Sequence, residues 1–176
     1  MENEQAKTLE GLQLAIQMET NGKTYYQDAS KRSVTRVGQE LFEWLATEED
    51  KHKKRFEQVY LSIKDDKGWP KVEIIPAGEE QLADIFSRAM EETNSKVKSS
   101  SDEQDAISNA MDMETKTYDF YKQQSENATY DTERRFYESI ASEERGHYLA
   151  LVDYKEYILD PTGWFTKMEH PTLDGG

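Results

Sequence analysis

Two copies of one short pattern, Glu49-x-x-His52 and Glu144-x-x-His147, set a carboxylate and an imidazole three residues apart. On an α-helix that spacing turns both side chains to one face, about 60° apart around the axis. Glu19 and Glu114 stand singly where an apolar stripe should continue. Four carboxylates and two imidazoles facing one helical interior are prohibitively costly if left unpaired. Two divalent cations cancel the four carboxylate charges, and neutral imidazoles complete each coordination sphere. Mixed oxygen and nitrogen ligation with open positions suits iron or manganese, and redox chemistry selects iron. The candidate metal ligands are therefore Glu19, Glu49, His52, Glu114, Glu144 and His147, around two iron ions, with manganese or zinc as other occupants.

Helices must carry these groups. Leu12, Ile16, Glu19, Lys23, Tyr26 and Ser30 recur at helical spacing and predict a helix from about Leu9 to Lys31. A second, from about Val34 to Ile63, follows the stripe Val37, Leu41, Leu45, Glu49, His52, Phe56 and Val59. Gly68 and Pro70 stop it, and Val72 to Ala77 reads as an extended connector before a short helix from about Glu79 to Val97. The third long helix is predicted from about Asp102 to Asn127, capped by Ser101 or Asp102, and the fourth from about Tyr130 to Leu159. Pro161 and Gly163 end it, leaving residues 161–176 as a short tail.

An internal repeat ties these helices together. An offset of 95 residues pairs Glu19 with Glu114, Glu49 with Glu144 and His52 with His147. Over positions 15–69 the same ungapped offset gives 15 identities in 55 positions, where chance would give about one in fifteen. The chain thus reads as two duplicated helix pairs, about 9–69 and 104–164, joined by a long crossover with its own short helix. The expected fold is an all-α four-helix bundle over residues 1–160, each half supplying one Glu and one Glu-x-x-His.

Other repeated residues fall near that centre. Tyr26 and Tyr121 lie two turns beyond Glu19 and Glu114 and point into the bundle, either as core or as hydrogen-bond partners of a ligand carboxylate. Glu48 and Glu143 sit at the edge of their stripes and read as solvated rather than as partners of a ligand histidine. Trp69 and Trp164, each after a glycine, read as caps over the bundle edges, and His170 as a surface histidine.

Composition narrows the function. The 176 residues carry 22 Lys+Arg and 36 Asp+Glu, a net charge of −14, which disfavours nucleic acid and anionic membranes and favours cations. Cys 0 excludes disulfides, thiolate-bound clusters and cysteine nucleophiles. Trp 3, Tyr 10 and Phe 6 supply a core for one folded domain. The opening MENEQAKTLEGL lacks a cationic-then-apolar pattern, and no apolar run approaches ~18 residues, so a soluble cytoplasmic protein is expected.

The stretches Ala15-Ile-Gln-Met-Glu19 through Tyr26, Trp44-Leu-Ala-Thr-Glu-Glu49-Asp-Lys-His52, Ala110-Met-Asp-Met-Glu114 through Tyr121, and Ile140-Ala-Ser-Glu-Glu144-Arg-Gly-His147 resemble the ferritin-like diiron domain of rubrerythrins. The ending Asp160-Pro-Thr-Gly-Trp164-Phe is similar to the single-domain branch of that family. The resemblance implies a non-haem diiron oxidoreductase that reduces hydrogen peroxide, or less often dioxygen. Full-length rubrerythrins carry a Cys₄ rubredoxin domain, whereas this sequence has no cysteine, so the electron donor is expected to be external, such as rubredoxin or a reductase. A homodimer is expected.

The family also carries an extra Glu three residues after the third-helix ligand; here that position is Thr117, and its repeat mate is Gly22. The remaining six-ligand set is closer to that of bacterioferritin, which makes ferritin-type iron oxidation and storage the alternative. A third reading is a metal-stabilised bundle that binds a partner protein without catalysis.

Overall fold

The protein is described by a computed structural model covering residues 2–70, 79–91 and 100–169. Among the described residues lie six helices: α1 (Glu2–Arg32), α2 (Arg36–Lys64), α3 (Glu79–Glu91), α4 (Ser101–Asn127), α5 (Asp131–Leu159) and α6 (Pro161–Glu169). The four long helices match the four expected ones, and the architecture is all-α. Each of α1–α2 and α4–α5 is joined by a turn of a few residues, which forces antiparallel neighbours. Accordingly α1 packs mainly on α2 and α4 mainly on α5, while α3 leans on α2 and α6 on α5. The two hairpins meet through α1 against α4 and α2 against α5.

Capping fixes the helix starts. The Thr35 hydroxyl accepts from the Gly38 amide at the head of α2, and the Ser100 hydroxyl accepts from Glu103 at the head of α4. The α4 cap therefore lies one residue before the expected Ser101. Helix α1 starts ahead of the expected Leu9 because Glu, Gln, Ala and Lys are good helix formers. Gln5 also anchors it, its amide donating to the Ile63 carbonyl at 3.0 Å and to Asp66 at 2.8 Å. The expected short helix is present as α3 over its described part; residues 92–99, the connector Val72 to Ala77 and His170 lie outside the described residues.

The tail expected from residue 161 needs correction. Pro161 ends α5 but also opens α6, where its fixed φ suits a first helical position. Trp164 of α6 is buried against Phe86 of α3 and Tyr157 of α5, so it closes one side of the bundle as a core residue. Trp69 lies against Phe136 and Tyr137 at the other end.

Two apolar clusters fill the interior. One holds Tyr26, Leu41, Leu45, Ile107, Leu151 and Tyr154; the other holds Leu12, Phe56, Val59, Tyr121, Phe136 and Ile140. On each long helix the two clusters lie on opposite sides of its Glu or Glu-x-x-His, so the polar layer is sealed above and below by hydrocarbon. At the edge of the first cluster, Tyr154 donates to Glu103 at 2.5 Å and meets Thr35 at 2.5 Å, and Ser33 also donates to Glu103. That buried network pins the α1–α2 turn to α4 and α5.

Candidate metal centre

Each of the four long helices brings its charged residue to the same level. Glu19 comes from α1, Glu49 and His52 from α2, Glu114 from α4, and Glu144 and His147 from α5. All six are buried, with Glu19, His52, Glu144 and His147 at 0% exposure. Ligand atoms of Glu49, His52, Glu144 and His147 lie within 4.8 Å of one another. Glu19 reaches this group from α1 and Glu114 from α4. Glu19 Oε2 is 3.5 Å from His52 Nδ1, and Glu114 Oε2 is 3.6 Å from His147 Nδ1. Glu144 reaches both imidazoles, at 3.0 Å from His52 Nδ1 and 3.3 Å from His147 Nδ1, and Glu49 Oε1 is 3.6 Å from His147 Nδ1. The two rings stack with centroids 5.3 Å apart.

These carboxylate–imidazole separations are ion-pair distances without hydrogen-bond geometry. Glu19 Oε2, Glu49 Oε1, Glu114 Oε2, both Glu144 oxygens and the Nδ1 atoms of His52 and His147 are buried without a hydrogen-bond partner. Buried polar atoms are nearly always satisfied, so seven that converge on one space are the donor set of something that space would hold. Oxygen and imidazole donors in that number fit divalent iron or manganese. Each histidine would present Nδ1, with one single Glu beside it and Glu144 shared between them.

Electrostatics without a metal express the same demand. Burial, with the charges of Glu19 and Glu144, holds the Glu49 carboxyl well above the usual range. Burial and Glu144 push Glu114 up to about 8. Burial opposes a charge on His52 and His147, yet Glu144 beside the first and Glu114 beside the second raise both imidazoles well above their ordinary value. Burial also works against Glu144, but the His52 charge wins and keeps its carboxylate low. Protons thus do what divalent cations would do.

The two tyrosines are both core and partners. Tyr26 of α1 donates to Glu114 of α4, and Tyr121 of α4 donates to Glu19 of α1. Burial, and then the Glu114 or Glu19 charge, raises each phenol well above its usual value, so both stay protonated donors.

Three further residues shape the centre. Glu143, expected in solvent, is 8% exposed; its Oε2 lies 3.1 Å from His52 Nε2, and its Oε1 accepts from Arg55 at 2.7 Å. Its repeat mate Glu48 is also buried, but pairs with Lys51 at 2.7 Å on its own helix. Gly22 makes room for a ligand: a Cβ there would fall on the Glu49 carboxylate, with Cδ at 3.1 Å. The signal was a glycine inside a long helix, where it costs about 1 kcal/mol relative to alanine. Thr117, at the third position after Glu114, bonds back to the Met113 and Glu114 carbonyls at 3.1 and 3.0 Å and adds no ligand. Among the described residues no helix is long and apolar enough to cross a membrane.

A family model described as Rubrerythrin matches residues 10–154. No curated protein and no solved structure matches the chain.

Proposed function

Since the chain belongs to the rubrerythrin family, we propose that it is a ferritin-like non-haem diiron oxidoreductase that reduces hydrogen peroxide, or dioxygen, with electrons from an external donor. The observation that carries this reading is the convergence of buried, unpartnered oxygens and imidazole nitrogens from four helices. Glu19 with His52 would hold one iron and Glu114 with His147 the other, with Glu49 and Glu144 between them. When bound, the metal pair supplies Lewis acidity and two electrons, so that H₂O₂ + 2 e⁻ + 2 H⁺ gives two waters.

The remaining contributions belong to the chain. Apolar layers on both sides keep bulk water from the site. Tyr26 and Tyr121 keep a hydroxyl proton on Glu114 and Glu19, which orients each carboxylate while its other oxygen faces the centre. The external donor in this reading is rubredoxin or a reductase. In this reading residues 1–160 form the diiron unit of a cytoplasmic homodimer.

Anaerobic loading with ferrous iron, followed by stopped-flow mixing with peroxide or dioxygen, tests the proposal. About two irons per chain, oxidised faster by peroxide and turned over by reduced rubredoxin, is the expected result. The second reading, ferroxidase and iron storage, draws on Thr117, which leaves a six-ligand set. A cage-sized particle that accumulates many irons per chain would establish it and overturn the peroxidase reading.

A further inference from the structure

We infer that Glu143 and Arg55 make the metal position beside His52 the tighter of the two and the first to fill. This rests on the diiron reading above, but it concerns a difference between the halves that the repeat alone does not contain.

The two histidines face the centre alike and differ behind it. His52 Nε2 meets the Glu143 carboxylate at 3.1 Å, and Arg55, 12% exposed, holds that carboxylate at 2.7 Å. His147 Nε2 is buried with no hydrogen bond, and the Trp44 ring stands against the imidazole edge-on at 5.4 Å. At the offset of 95, Arg55 corresponds to Ala150, Trp44 to Ser139 and Lys51 to Gly146. The cause of the asymmetry is legible in those three pairs. Lys51 draws Glu48 along α2, whereas Gly146 offers Glu143 no cation on its own helix, and Arg55 from α2 draws it across to His52.

A histidine binds metal through one nitrogen only when the other carries the proton. A carboxylate that accepts from that N–H fixes both tautomer and ring orientation, and its loss typically lowers metal affinity 10–100-fold. His52 has such a partner and His147 does not, so the two positions differ by roughly that factor beyond any mutual repulsion of the ions. Glu143 is thus a positioning residue acting through His52.

Anaerobic Co(II) titration of the full chain at fixed pH, read by d–d absorption and calorimetry, tests this without turnover. Two resolved steps are expected. Glu143→Gln should weaken the first about ten-fold and leave the second nearly unchanged, and Arg55→Met should act in the same direction by less. His147→Ala should retain the tight step that His52→Ala loses. A merely structural role for Glu143 would weaken both steps and lower the helical circular dichroism. An unchanged step separation in Glu143→Gln, or equal residual affinity in His52→Ala and His147→Ala, would overturn the inference while leaving diiron binding intact. Failure of the wild-type chain to take up two cobalt ions would overturn the diiron reading itself.

Discussion

The Tyr121 hydroxyl on α4 donates to Glu19 on α1, and the duplicated chain repeats the contact in reverse with Tyr26 and Glu114. Each bond ties the two helix hairpins together at the level of the centre, where α1 and α4 otherwise touch sparingly. Tyr121→Phe should therefore weaken the metal beside His52, and Tyr26→Phe the one beside His147, each about ten-fold. Stepwise metal titration of the single variants checks the assignment; a Phe variant that weakens the opposite position would refute it.

The repeat carries most of what the sequence makes legible. Glu19, Glu49, His52, Glu114, Glu144 and His147 reach one buried layer because each is in helical register with its own core stripe, and register is a property of spacing alone. The four long helices were readable for the same reason. Glu143 was not, because its neighbour in space is Arg55 of another helix, and no periodicity within α5 encodes that. Its mate Glu48 has the same place in the pattern and a different partner. Helix α6 is not legible in the same way, because Pro161 reads as a stop although a proline also serves as a helix start.

Gly22 offers a test that separates stability from function. Replacing a mid-helix glycine by alanine stabilises a helix by about 1 kcal/mol. Here the new methyl would displace the flexible end of Glu49. Gly22→Ala should keep or slightly raise the melting temperature of the metal-free protein yet bind fewer than two metals per chain. A variant with full metal content and wild-type affinity would mean that Glu49 has another place to go.

The protonation pattern gives a signed pH dependence. His52 and His147 have raised values in the metal-free fold, so their contribution is full below the ordinary imidazole value and is lost as pH rises through the folded one. Glu49 and Glu114 are also raised, the latter to about 8, so the metal-free fold loses stability from the usual carboxylate range upward. Glu144, held low, works in the opposite sense, its contribution being lost as pH falls from the usual carboxylate range downward. Metal binding removes these protons, so it should release acid near neutral pH and tighten as pH rises. Melting curves with and without Mn(II) between pH 6 and about pH 8.5 should diverge as pH increases. Parallel curves would contradict this account.

Glu144 and Glu19 should differ sharply when removed. Glu144 approaches both imidazoles, at 3.0 and 3.3 Å, and both of its oxygens are buried without a partner. Of the two imidazoles Glu19 approaches His52, at 3.5 Å, and one of its oxygens is already held by Tyr121. Glu144→Ala should therefore abolish dinuclear binding, as should Glu49→Ala. Glu19→Ala should lose the metal beside His52 and retain the one beside His147, and Glu114→Ala should do the converse. Both effects are read as metal per chain after exhaustive dialysis, with the surviving position identified by the added loss of His52 or His147. Two metals retained in Glu144→Ala would remove the shared carboxylate from the proposal. The same loss in Glu19→Ala as in Glu144→Ala would mean that the two positions fill only as a unit.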